Sequence, residues 1–240
     1  MQNIRIENLL FLDIETVPQQ PDFTQLAAEW QTLWAEKVRW ILPVDTTPAD
    51  FYPQRAGIMA EFAKVICVSM AYFRREPEGL QLRIKSFYGD DEKKLLKDMI
   101  AALSELEAVS NRWNFTGHNI KDFGIPFLCR RLMANSVGIP PYLDFQNMKP
   151  WEIHVLDTFQ YWRFGDYKNY TSLKLLAATL GIPLPKDDID GTMVADVYYK
   201  DGDLDRIVHC CQKDVITVAN IVRRFKNLPV LEADEIVVVK

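Results

Sequence analysis

Apolar positions along the chain follow two periods. Residues 8–15 are apolar up to their last few positions, which predicts a buried first strand. Residues 63–73 (AKVICVSMAYF) are more apolar still and predict a second. Residues 80–88 alternate, with Leu82, Ile84, Ser86 and Tyr88 on one side, and predict a third; Pro77 and Gly79 between the two make the pair a hairpin. Helical spacing follows. Leu95, Leu96, Met99, Ile100 and Leu103 give the buried face of a helix that Asp90 and Asp91 open and that runs to about residue 106. A short fourth strand at 115–120, a helix at 125–133 and a fifth strand at 155–161, with Asp157 inside it, come next. Tyr170, Thr171 and Ser172 cap a helix reading LKLLAATL, which Gly181 stops. A short helix at 192–199 and a long one at 203–225 follow. Strands first, then helices and strands in alternation, predict an α/β fold with a mixed five-stranded sheet flanked by helices.

Residues 18–60 interrupt this pattern. Pro18, Pro21, Pro43, Pro48 and Pro53 punctuate the segment, and Leu26, Trp30, Leu33, Trp34 and Val38 recur at helical spacing. The segment reads as a helix and loop inserted between the first two strands. Its aromatic stripe reads as core or lid packing rather than as a platform for nucleic-acid bases.

Composition narrows the class. The 240 residues are 48% hydrophobic and one quarter charged, and no linker-like stretch divides them, so one domain spanning 1–240 is expected. There is no apolar run of transmembrane length and no signal-peptide pattern at the start. Four scattered cysteines lack zinc spacing, and Cys67 and Cys129 read as small buried hydrophobes; a reduced, cytoplasmic setting without membrane contact is expected. A net charge of −5 argues against nonspecific coating of duplexes but leaves room for a nucleic-acid enzyme whose acidic site binds cations.

Three acidic sites stand out. In Phe11-Leu12-Asp13-Ile14-Glu15-Thr16, alternation puts Asp13 and Glu15 on one face at the end of an apolar strand, with Ile14 facing the other way. Two such carboxylates repel and resist desolvation, and a hard divalent cation such as magnesium or manganese relieves both effects. Asp122 follows a strand end in Thr116-Gly117-His118-Asn119-Ile120-Lys121-Asp122-Phe123, where α/β sheets place ligands, and would otherwise serve as a helix cap. Asp214 follows His209-Cys210-Cys211-Gln212-Lys213 on the last helix, among Val215, Val218 and Ile221.

In this order, FLDIET, TGHNIKDFGIPFL and the QKDV segment resemble the DEDD superfamily of 3′–5′ exonucleases, whose fold is ribonuclease H-like. The likeness is greatest to the predicted exonucleases related to the proofreading domain of family-B DNA polymerases, and SLKLLAATLGIP adds to it. The resemblance implies that Asp13, Glu15, Asp122 and Asp214 hold two Mg²⁺ or Mn²⁺ ions. It implies hydrolysis of phosphodiester bonds at single-stranded DNA or RNA 3′ ends, with replication or repair partners unidentified. Thr16 would meet the terminal 3′-hydroxyl, and Asn119 the nucleotide or the metal-bound waters. His118 would be structural. Asp157 is a rival carboxylate or a partner of the ligands.

One position departs from the resemblance. A polymerase-type site has tyrosine four residues before the last aspartate, where this chain has Cys210. The other branch has histidine five residues before it, where His209 stands. Positions i and i+4 share a helix face, whereas i and i+5 lie about 140° apart. Imidazole is the better base near neutral pH, so His209 is favoured for orienting the water and Cys210 remains the alternative. Two other readings stay open: a nucleic-acid-binding module with a disabled site, and a metal phosphohydrolase of small nucleotides.

Overall fold

The computed structural model describes residues 4–77, 79–109, 113–146, 148–149, 152–183 and 189–239. A mixed sheet forms its centre, with strands β1 (Leu9–Pro18), β2 (Ala63–Glu76), β3 (Gly79–Tyr88), β4 (Asn114–Gly117), β5 (Val155–Asp157) and β6 (Ile236–Val238). Their order is β5-β4-β1-β2-β3-β6. β2 runs antiparallel to β1 and β3, whereas β4 and β5 are parallel to β1 and to each other, and β6 is parallel to β3. The helices are α1 (Ala28–Val38), α2 (Pro48–Arg55), α3 (Glu92–Val109), α4 (Ile125–Ala134), α5 (Thr158–Arg163), α6 (Leu173–Thr179), α7 (Val194–Asp196) and α8 (Leu204–Phe225).

Among the described residues the sheet has six strands rather than the expected five. The sixth is three residues long, too short to announce itself by alternation, and it covers the outer edge of β3 by pairing with Leu82, Arg83 and Ile84. Two boundaries also change. The fourth strand ends at Gly117, and the fifth at Asp157, where the chain turns at once into α5. Asp157 causes that switch, since its carboxylate accepts the N–H groups of Phe159 and Gln160 as a helix cap.

β1 is buried on both faces. Leu10, Leu12 and Ile14 pack with Leu95, Leu96, Met99 and Leu103 of α3 and with Phe127 and Leu128 of α4. Leu9 and Phe11 pack on the other face with Val215, Val218, Ala219 and Val222 of α8. The strand is therefore clamped between two helical layers, and the side its acids occupy is the side facing α8.

Residues 18–60 hold α1 and a second helix, α2, which the prolines obscured in the sequence. Thr47 and Asp50 cap it reciprocally, and Pro48 occupies its first turn. Trp34 is fully buried against Phe51, Tyr52 and Phe62, and its indole N–H donates to the Pro48 carbonyl at 2.7 Å. The aromatic stripe thus packs mainly as core, and Trp40 at its end lies 83% exposed.

Candidate active site

Residues two apart on a strand share a face, so Asp13 and Glu15 continue the Leu9–Phe11 side of β1 toward α8. The β1–β2 register then slips. Glu15 stands opposite Cys67 and Thr16 opposite Val65, so Ile66 is an extra residue that bulges β2 beside the acids. The Val65 N–H at this bulge donates to Glu92 Oε1 at 2.7 Å. Glu92 also takes two bonds from the Arg131 guanidinium, at 2.9 and 2.6 Å, and one from Asn135 at 2.8 Å. Arg131 in turn donates to the Ala60 carbonyl at 2.8 Å. This buried network, invisible in the sequence because its members are far apart, holds the bulge in place.

α8 supplies the opposite wall. Ile207, Cys211, Val215, Val218 and Val222 recur at three- and four-residue steps and are buried. Cys210, Cys211 and Asp214 lie toward the β1 acids. The Cys211 sulfur is 3.6 Å from the Asp13 carbonyl oxygen and 3.7 Å from its Oδ2. One ligand atom from each of Asp13, Glu15 and Cys211 falls within 4.8 Å of the others, and the same holds for Glu15, Cys210 and Asp214. Glu15 belongs to both groups and so marks the centre.

The electrostatics of this centre are unfavourable as they stand. Glu15 is only 8% exposed. Burial raises its carboxyl well above the ordinary range, and the charges of Asp13 and Asp214 and the Cys67 thiol push it further. Among the described residues no hydrogen bond reaches it. Asp13 is raised in the same way, by burial first and by Asp214 second, with the Cys211 thiol and a backbone N–H opposing. Burial also raises the Cys211 thiol, which Cys67, Asp13 and Glu15 reinforce. Burial and the mutual repulsion of these carboxylates make the charged forms of Asp13 and Glu15 costly, and a divalent ion is the chemistry that makes such a donor set favourable. Two donor sets share Glu15: Asp13 and Glu15 with Cys211, and Glu15 and Asp214 with Cys210.

The other residues singled out in the sequence fall elsewhere. Asp122 lies in a wide turn over Ile120–Gly124, is exposed, and accepts from the Gln160 amide at 2.9 Å. Its carboxylate is not within the close groups around Glu15, so the geometry does not bring the four acids together. His209 is exposed on α8, and its Nδ1 lies 2.8 Å from the Asp205 carbonyl. It lines a cleft with Ile189, Asp203, Arg206 and Lys213. Cys210 also lines that cleft but reaches the carboxylates, so the helix brings Cys210 to the centre and His209 away from it. Thr16 donates to the Gly57 carbonyl at 2.6 Å, which spends its hydroxyl proton inside the protein.

Asp157 acts as a clamp on the backbone. Its two oxygens accept four backbone N–H groups, from Asn119, Lys121, Phe159 and Gln160, at 2.9 to 3.2 Å. This fixes the turn in which Asn119 adopts a left-handed φ of 58° and from which Asp122 projects. His118 is held through both ring nitrogens: Nε2 donates to the Thr171 carbonyl at 2.9 Å, and Nδ1 lies 3.0 Å from the Thr158 hydroxyl. Burial lowers its pKa, which favours the neutral ring. Gly117 is required by close packing, because a Cβ there would sit 2.8 Å from the Leu12 carbonyl and from Ile120. Cys211 is the central residue that the sequence did not single out, although its three-residue step to Asp214 puts both on one helix face.

Comparison with known proteins adds independent findings. Residues 58–229 match the model of a family described as "Predicted 3'-5' exonuclease related to the exonuclease domain of PolB". That span includes Asp122 and α8 but not β1. The chain is similar in structure to a family B DNA polymerase from the hyperthermophilic archaeon Pyrobaculum calidifontis, with a TM-score of 0.54 and 14% identity. The superposition covers 90% of this chain and 24% of the polymerase, so the likeness concerns the fold and extends over a quarter of that protein. No curated protein matches the chain in sequence. Among the described residues no helix is long and apolar enough to cross a membrane.

Proposed function

Given that the chain belongs to the family of predicted 3′–5′ exonucleases related to the exonuclease domain of PolB, we propose that it hydrolyses phosphodiester bonds at single-stranded 3′ ends in a reaction that depends on Mg²⁺ or Mn²⁺. The observation that carries this reading is the Glu15 carboxylate, buried, without a hydrogen-bond partner among the described residues, and surrounded by Asp13 and Asp214. A stable fold keeps such a group where binding a cation recovers the cost.

Asp13, Glu15 and Asp214 would hold the first ion. Bound there, a divalent cation polarises the scissile phosphate and lowers the pKa of the attacking water. The protein's own share is to fix geometry. β1 and α8 set the carboxylates on facing rigid elements, and the Glu92–Arg131 network secures the bulge between them. Asp122 lies apart on an exposed turn, and it would join a second ion only by releasing Gln160 and moving toward the other acids. Cys210 adjoins Glu15 and Asp214, and His209 would have to leave the Asp205 carbonyl to approach them.

A second reading has an observation in its favour. Asp122 lies apart and Cys210 is a buried thiol, an arrangement suited to a nucleic-acid-binding module with a disabled site. One assay separates the two. Purified protein is given Mn²⁺ and end-labelled single-stranded DNA or RNA. The exonuclease reading expects a ladder of products shortened from the 3′ end, absent with EDTA and with Asp13→Ala. Binding without any ladder supports the module. Cutting of a circular strand, or of free nucleotides alone, would overturn the exonuclease reading.

A further inference from the structure

The segment 158–175 carries an exposed aromatic surface that the carboxylate site does not use. Phe164 is 83% exposed, Tyr167 77% and Tyr170 66%. Phe164 also adopts a left-handed backbone, φ 45° and ψ 37°, at the end of α5. A bulky side chain is disfavoured there, and glycine is the residue that suits the position. The chain thus holds an aromatic ring out in solvent at a position where both burial and backbone conformation argue against it. Such an observed outlier points to a function for the ring.

The rings are set in place rather than loose. Tyr170 packs on Phe159 with centroids 5.1 Å apart, and Phe164 lies 5.8 Å from Tyr161, which packs on Phe225 of α8 at 5.0 Å. The Arg163 guanidinium lies between two rings, 5.2 Å from Phe159 and 4.2 Å from Tyr167. His118, at the end of β4, ties the adjoining Thr171 carbonyl to the sheet. β4 is the neighbour of β1 and β5 is the next strand out, so α5 starts about 10 Å from the line of β1, two strand spacings away. Thr158 thus stands at the end of the sheet where Asp13 and Glu15 lie, whereas Phe164, at the far end of α5, packs through Tyr161 on Phe225, eleven residues or about 16 Å along α8 from Asp214, a span of a few nucleotides.

Its charge is opposite to that of the chain. Residues 158–175 contain Arg163, Lys168 and Lys174 against one acid, Asp166, in a protein of net charge −5. Asp166 is already engaged with the Lys168 N–H and the Asn169 amide. Exposed rings interleaved with cations are the pattern that receives unpaired bases on π-faces and phosphates on basic groups.

We infer that Phe164 and Tyr167, with Arg163 and Lys168, form a stacking platform for unpaired bases of a single strand whose 3′ end enters the carboxylate site. This rests on the exonuclease reading for the direction of the strand, but not for the binding itself. Stacking is worth about five- to hundredfold in affinity per base.

The test is equilibrium binding of the full chain in EDTA, which prevents cutting. The probes are a fluorescent short thymidine strand, its uridine counterpart, and an abasic strand of equal length. Wild type should bind the base-bearing strands at least about tenfold more tightly than the abasic one. Tyr167→Ala and Phe164→Gly should each erase much of that preference. Phe164→Gly should at the same time raise the melting temperature by about 2–4 °C, because glycine relieves the backbone; this rules out misfolding as the cause. Lys168→Glu should weaken all strands alike. Unchanged base preference in both ring variants, or no preference in wild type, would overturn the platform. A protein that binds through the rings but yields no ladder with Mn²⁺ would keep the platform and remove the exonuclease. A ladder from wild type with no base preference would do the reverse.

Discussion

Two glutamates on either side of one β-bulge have the same burial and opposite surroundings. Glu15 and Glu92 are each 8% exposed. Glu92 is satisfied by the Val65 N–H, by Nε and Nη2 of Arg131 and by Asn135. Glu15 meets Asp13, Asp214 and Cys67, all of which disfavour its charge. Burial alone therefore does not mark a functional acid. What marks it is burial without compensation, since a carboxylate with a full set of donors needs nothing from outside, whereas one among like charges awaits a cation.

The comparison breaks most directly at Arg131. Arg131→Met strands the Glu92 charge and should cost about 3–5 kcal/mol of stability, read from the urea midpoint, while activity per folded molecule falls far less than in Glu15→Gln, because the carboxylates themselves remain. A loss below about 1 kcal/mol would mean that the network does not hold the bulge. Glu15→Gln should behave in the opposite way. Exonuclease activity should fall at least about a hundredfold, a barrier change of about 2.7 kcal/mol, while the protein in EDTA becomes more stable. If Glu15→Gln unfolds the chain as Arg131→Met does, the two glutamates do the same job.

Much of this contrast was legible in the sequence at one end only. Asp13 and Glu15 could be placed on one face because the period of a strand is two, and Asp214 on α8 because its apolar neighbours keep helical steps. Where the reading stopped, long-range pairing took over. Register determines that Cys67 stands opposite Glu15, and no local pattern encodes register. Asp157 ended a strand that alternation would have continued, because a capping side chain outcompeted the ladder. Asp122 looked equivalent to the other acids, yet a single turn fixed by Asp157 carries it to the surface beside Gln160.

Titration sharpens the comparison by a smaller amount. Asp13 and Glu15 have folded pKa values raised above their ordinary carboxylate values near 4. Between those ordinary values and the raised ones, the folded protein binds more protons than the unfolded chain, so stability falls as pH rises. Their contribution is most favourable below about pH 4 and is lost as pH climbs through the raised values. Carboxylates held low, such as Glu7 beside Arg75, act in the other direction at acid pH. The wild-type minus Glu15→Gln difference in EDTA isolates the effect, expected to be on the order of 1 kcal/mol per pH unit. Saturating Mn²⁺ should flatten that difference or reverse it, because the ion takes the place of the protons. An equal slope in the variant would show that Glu15 is already ionised and compensated.

The smallest expected effect lies on α8, where one residue step separates a group inside the contrast from a group outside it. His209 is exposed and bonded to the Asp205 carbonyl, whereas Cys210 is buried against Glu15 and Asp214. A residue that positions or deprotonates the attacking water typically contributes about 10²–10⁴-fold. His209→Ala should change kcat by less than about threefold and leave its pH profile unmoved, because the imidazole is outside the carboxylate centre. Cys210→Ser keeps the size of the side chain and removes the thiol, so its readout is ion preference rather than rate. Thermal shifts with Cd²⁺, which favours sulfur, should shrink relative to those with Mn²⁺, which favours oxygen. A hundredfold loss of kcat in His209→Ala, with the acidic limb of the profile gone and the Mn²⁺ shift intact, would return the histidine to the centre and require α8 to turn when substrate binds. Equal Cd²⁺ and Mn²⁺ shifts in wild type and Cys210→Ser would leave the thiol as packing, and the three carboxylates as the whole of the donor set.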